Sequence, residues 1–393
     1  MKKTEEELLK SHVCLQPFRH IEMFHHQASL CCPTWLKKQL WYPTEDGKTF
    51  DYDVWNSDAA KEIRESILDG SYKHCDKTLC PHLNTLLKTG KNTGMFARID
   101  EPEVEEVKWE GEQQFHFPFC DTDGVEIDGQ PIVGSTPGSL NFTFDDSCNL
   151  RCPSCRLGTI MAKPDEVKKI DKIIEFINEN YAKDCRKITI TGSGDPFASK
   201  SFRRFLFEFD PSKWPNLKKI YLVSNGILFN EKNWELMKTV QPYITDVEIS
   251  IDAGLKDTYE NKTRIGGKWE TLLENLKFIS TIETIEMLRI SFIVQRDNYK
   301  EMSNCARLIT DIFKDRLSRR RLFENTTLFF GRIAKWDHMT DDDLKEKDVA
   351  AETHPKHKDF IFHLRDVYKN YSEKIFIQSN LTEKLDKTKD NLI

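Results

Sequence analysis

Long apolar runs are missing from this chain of 393 residues. None reaches the roughly 18 residues that a membrane-crossing helix needs, so no membrane span is expected. A secretory h-region is missing too. The N-terminus, MKKTEEELLKSH, begins with two lysines and then turns acidic, so it does not read as a signal peptide and a cytoplasmic location is expected. A strong charge of either sign is also lacking. The formal net charge of -6 gives no reason to expect nonspecific nucleic-acid binding. One local basic run, RLSRRR at 316–321, reads as the solvated end of a helix.

Cysteine is plentiful. Eleven cysteines stand at 14, 31, 32, 75, 80, 120, 148, 152, 155, 185 and 305. In a reducing compartment such a set points to metal ligation or catalysis rather than to a disulfide framework. The length suffices for a full core and about two domains.

The chain changes character near residue 138. Six β-like runs follow: LNFTF (140–144), KITIT (187–191), KIYLVS (219–224), DVEISI (246–251), RISFIVQ (289–295) and NTTLFFGRI (325–333). Between them lie stretches with apolar residues at three- and four-residue spacing, such as DEVKKIDKIIEFINENY. Strand and helix alternating six times predict parallel strands with right-handed crossovers, closed or partly closed into a barrel. Chemistry in such sheets sits at the C-terminal strand ends. The tips DDSCNLRCPSC, TGSGDP, SNG, SIDAG and VQRDN are polar and all fall there. Residues 83–138 read as a connector with a hairpin, and residues 336–393 as a charged, helical extension. His354 and His357 in that extension read as surface helix, or else as part of a lid.

Cys148, Cys152 and Cys155 fall within eight positions, with no histidine beside them. A structural zinc site closes on four ligands. Three thiolates on a 4Fe–4S cube would leave one iron open. The C-x3-C-x2-C spacing after the first strand resembles the radical S-adenosylmethionine (radical SAM) enzymes. The resemblance implies a partial (β/α)6 TIM-like barrel over residues 139–335. It also implies that the amino and carboxylate groups of S-adenosylmethionine chelate the open iron. Its sulfonium is then reductively cleaved to a 5′-deoxyadenosyl radical that abstracts hydrogen from a substrate. Ser154 stands where the family often has an aromatic. By the same resemblance Gly192, Ser193, Gly194 and Asp195 occupy the family's "GGE" position, with Asp195 in place of the usual Glu. Ser224 and Asn225 line the cofactor, Ser250 and Arg264 meet its carboxylate, and Gln295 contacts its ribose or adenine. An arginine fork suits a carboxylate because it donates two parallel bonds. Read without the family, Asp195 would cap a helix and Arg264 would form an ion pair.

A second group lies in CLQPF (14–18), CCPTW (31–35) and HCDKTLCPHL (74–83). Cys14, Cys75 and Cys80 with one of Cys31 or Cys32 make four ligands, and Cys32 is favoured. The text between them reads as one amphipathic helix with Ile63, Ile67 and Leu68 on one face. This resembles the SPASM or twitch auxiliary-cluster module, here placed before the barrel as a small cysteine-rich α+β module over residues 1–82. The resemblance implies an auxiliary 4Fe–4S cluster; a structural zinc would satisfy the same four cysteines.

The function expected is therefore hydrogen abstraction from a peptide, protein or small molecule. An electron donor such as flavodoxin or ferredoxin would serve it. No general acid or base is assigned, since Asp252 and Glu324 read equally as an ion pair or turn cap. The alternative is an iron–sulfur electron-transfer or binding protein without a substrate of its own.

Overall fold

The computed structural model describes residues 3–44, 50–98, 136–190, 193–319, 322, 324–336 and 338–381. Gly192, Cys120, the hairpin expected before residue 136, and residues 320 and 321 of the basic run lie outside the described residues. Two compact units emerge. The first comprises Met1–Asp145, Lys168–Thr189 and Ser212–Lys218; the second comprises Asp146–Val167, Ile190–Pro211 and Lys219–Ile393.

In the first unit β1 (His12–Cys14) pairs antiparallel with β5 (Phe96–Arg98). A sheet runs β7-β6-β2-β3-β4, with β2 His20–Met23, β3 Gln27–Ser29, β4 Leu40–Trp41, β6 Ser139–Phe142 and β7 Lys187–Ile190. β2 lies parallel to β6, with His20 opposite Ser139 and Glu22 opposite Asn141. The N-terminal segment thus shares a sheet with the strand expected to open the barrel. HIEM has the alternation of a half-buried strand, and Ile21 and Met23 are fully buried.

Helix α1 spans Glu5–Ser11, α2 spans Asp58–Leu68 and α3 spans Pro81–Thr89. Ser57 caps α2 by accepting from the Ala60 N–H. Ile63 and Ile67, four apart, are buried, whereas Leu68, expected on the same face, is 42% exposed. One residue past Ile67 is a turn of about 100°, which carries Leu68 round to solvent. Arg64 is buried as well: it stacks 4.2 Å over Trp55 and its Nε donates to the Pro17 carbonyl at 2.9 Å. Gly70 has φ +75°, and a Cβ there would come within 2.7 Å of Lys10, so only glycine lets α1 approach so closely.

The second unit holds five parallel strands in the order β12-β11-β10-β9-β8. They are β8 Lys219–Ser224, β9 Ile244–Ser250, β10 Met287–Val294, β11 Thr326–Arg332 and β12 Phe376–Ser379. Leu222, Val247, Ile249, Ile290, Phe292 and Leu328 are fully buried, the pattern of a parallel sheet covered on both faces. EKNWELMKTV is helical only over Glu231–Glu235. The C-terminal extension supplies the helix His357–Tyr371, bonded to its neighbour through Ser303–Asp366 at 2.6 Å. It also supplies β12, a strand that the sequence reading left out. His354 and His357 bond to the carbonyls of Glu346 and Val349. Because the strands are parallel, the tips after β8, β9 and β10 lie at one end of this sheet.

Among the described residues no helix is long and apolar enough to cross a membrane.

Candidate functional site

The loop after Asp146 is held shut at both ends. The Cys148 N–H donates to the Ile160 carbonyl at 2.7 Å, and Arg151 donates to Ile265 at 2.9 Å. Ser147 clamps both sides: its hydroxyl accepts from Ala162, and its carbonyl accepts from the Asp195 N–H. Within the loop the Cys155 and Arg156 N–H groups both donate to the Cys152 carbonyl, which makes a tight turn. Cys148 and Cys152 are buried against Leu150, with Cys155 and Ile227 packed beside them.

Each of the three thiols has its own N–H neighbour. Asn225 Nδ2 lies 3.8 Å from Cys148 Sγ, Arg264 Nη1 lies 3.5 Å from Cys152 Sγ, and Arg156 Nη2 lies 3.6 Å from Cys155 Sγ. Burial pushes the Cys148 and Cys152 thiols up, and Arg264 is the chief opposing charge at Cys152.

The strand tips surround this loop. Asp195 is 1% exposed. One of its oxygens accepts from Phe197 and Ala198 N–H; the other accepts from the Ser224 hydroxyl and the Asn225 N–H, both at 2.9 Å. The carboxylate therefore caps its own turn and fastens the β8 tip to it. Burial pushes its pKa up, against those four donors. Asn225 also reaches Asn149 at 2.9 Å.

Arg264 forms a 2.7 Å ion pair with Asp252. Asp252 has φ +54° and accepts from the Ile293 N–H, which aims its carboxylate. Burial works against the Arg264 charge, but Asp252 and Cys152 outweigh it and hold the guanidinium protonated. Its Nε is buried without a partner. A π-turn over Tyr259–Thr263 delivers Arg264, a feature frequent at functional sites. Ser250 closes β9 level with Ser291 of β10, and Gln295 is buried just past β10. Ser193 and Gly194 are half-buried, and the Ser193 carbonyl accepts from Arg156.

Residues 143–308 match the Radical SAM superfamily. The match covers less than half of the chain, and over that stretch the chain is similar to the superfamily. No curated protein matches it. Among solved structures it is similar to Streptococcus suis SuiB bound to precursor peptide SuiA, at 13% identity and TM-score 0.42, over 65% of this chain and 52% of that one. SuiB alone gives 16% identity and TM-score 0.42 over 66% and 54%. TYW1 with a lysine–pyruvate adduct gives 18% and 0.32 over 57% and 71%. The chain thus spans about half the length of the SuiB chains.

Radical SAM enzymes use a 4Fe–4S cluster and S-adenosylmethionine, and the donor set here fits such a group. Among the described residues no three His, Cys, Asp or Glu side chains converge on one metal ion. A cube makes a different demand, since each thiolate meets its own iron.

The second thiol group gathers in the first unit. Tyr72 links its segments: its hydroxyl donates to the His12 carbonyl at 2.5 Å and accepts from the Cys14 N–H, and its carbonyl accepts from Cys75. Leu36 bridges Cys75, and Trp35 accepts from Asp76. The Cys80 thiol accepts from Leu83 and so caps α3. Cys31 is half-buried, and burial above all, then the charges of Cys14, Cys80, Cys32 and Cys75, pushes its thiol well up. Cys32 lies 3.1 Å from the Thr34 hydroxyl.

The reading from sequence missed Arg156 and Asn149, and gave Asp252 only as an ion pair or cap. The one available signal was position: Arg156 directly follows the third cysteine of the radical SAM loop.

Proposed function

We propose that this radical SAM chain reductively cleaves S-adenosylmethionine and abstracts hydrogen from a peptide, protein or small-molecule substrate. The observation that carries the reading is the loop itself: three thiols at C-x3-C-x2-C spacing, each beside a separate N–H donor, at the C-terminal ends of parallel strands. Cys148, Cys152 and Cys155 would hold three irons. Such a cluster, when bound, supplies the electron that breaks the sulfonium. Gly192, Ser193, Gly194, Ser224, Ser250 and Gln295 would line S-adenosylmethionine. Arg264, whose Nε has no protein partner, would offer that donor to its carboxylate. Asp195 and Asn225 would shape this pocket by holding the tips together. Cys14, Cys75 and Cys80 with Cys32, or with Cys31 in its place, would hold the auxiliary cluster, and flavodoxin or ferredoxin would feed electrons.

Anaerobically reconstituted protein given dithionite and S-adenosylmethionine is expected to release 5′-deoxyadenosine. Release no greater than from a Cys148→Ala, Cys152→Ala, Cys155→Ala variant overturns the reading.

A further inference from the structure

We infer that Arg156, Arg264 and Asn225 form a donor shell that sets the reduction potential of the cluster held by Cys148, Cys152 and Cys155, with Arg156 as a positioning and tuning residue. The inference rests on the functional reading above and deepens it.

The three contacts go one to each sulfur, at 3.8, 3.5 and 3.6 Å. They come from three separate places: the β8 tip, the turn after the π-helix, and the cysteine loop itself. Two of the three donors are guanidinium groups. Reduction adds one negative charge to a cube bearing three thiolates. A cation or N–H aimed at sulfur stabilises the more negative state, so it raises the potential. The effect is strong here because Cys148, Cys152 and Arg156 are all at least nine-tenths buried and water screens little.

Arg156 also has a geometric duty. Nη1 donates to the Asp146 carbonyl at 2.7 Å, and Nη2 is shared between Cys155 and the Ser193 carbonyl. One planar fork therefore joins the start of the loop, its last cysteine and the tip after β7. A lysine could keep the charge but not the three-way fork. Arg264 differs in being tied to Asp252, so its charge is partly offset. Arg156 has no such ion pair among the described salt bridges, which makes it the stronger electrostatic lever.

The test is a potentiometric titration of the reconstituted protein followed by EPR. It follows the reduced signal that S-adenosylmethionine perturbs, with iron counted in every sample. Arg156→Met is expected to load iron and to lower the potential. At a fixed potential near the wild-type midpoint its reduced-to-oxidised ratio should fall about tenfold, equivalent to ~59 mV. Arg156→Lys, which keeps the charge, is expected to shift less in the same direction and decides the matter if Arg156→Met does not load. Variants that load fully and titrate at the wild-type potential overturn the donor shell. A wild-type protein that loads no cluster perturbed by S-adenosylmethionine overturns instead the functional reading beneath it.

Discussion

His20 stands fully inside the first unit, with Nδ1 3.2 Å from the Ser139 hydroxyl. Burial, then the Lys187 charge, holds its pKa down to about 3. An unfolded histidine takes up its proton near pH 6.5. Between these values the unfolded chain binds more protons than the folded one, so stability falls as pH falls through the window. The slope is about 1.4 kcal/mol per pH unit for one group. Urea midpoints of wild type and His20→Gln are expected to converge as pH is lowered from about 6.5 towards 4. A constant gap between them would show that His20 is not the group responsible. At this scale the sequence was only partly readable. Cysteine spacing located the radical SAM loop, because ligand spacing along a turn is local. Which through-space donor meets which sulfur depends on where Arg264 and Asn225 arrive after separate crossovers, so it was not readable. Arg156 was adjacent in sequence, yet adjacency alone does not say that its fork folds back.

Among the elements, the tip of β9 is welded to the helix Met302–Ile312. The Gly254 N–H donates to Glu301 at 2.9 Å, and a Cβ on Gly254 would lie 2.5 Å from the Glu301 carbonyl and 2.8 Å from the Cys305 N. That contact is backbone against backbone, so neither side can yield cheaply. Gly254→Ala is expected to cost about 1–3 kcal/mol, read as a lower urea midpoint. A larger cost to cluster loading than to folding is expected as well, because Asp252, two residues before, holds Arg264. Six strands, β6 to β11, were legible as apolar runs between amphipathic stretches: buried parallel strands are apolar on both faces. β12 was not legible. FIQS is only four residues long, and Phe376 is 46% exposed. Its strand state is supplied by pairing with β11, a tertiary cause that local pattern does not carry. β2 escaped for a related reason: HIEM is short, and its partner β6 lies more than a hundred residues away.

For the whole molecule, the proposed pair of cluster sites, four irons each, leads to an expected iron content of about eight per reconstituted chain. The Cys148→Ala, Cys152→Ala, Cys155→Ala variant is expected to keep about four. Of Cys31→Ser and Cys32→Ser, the variant at the true ligand is expected to lose about four irons and the other to keep about eight. Iron analysis with zinc measured in parallel checks these counts, and the variant that loses iron assigns the ligand. Cys80 adds a consequence of its own. Its sulfur is the N-cap of α3, with Pro81 next in line. A thiolate there meets the positive end of the helix macrodipole, so capture of the proposed auxiliary cluster would favour winding of the first turn of Pro81–Thr89, and the reverse. On that proposal iron supply becomes a quality check on the chain: protein made in iron-starved cells should be nicked first near Thr78–Leu83, and maturation should hide that cleavage point.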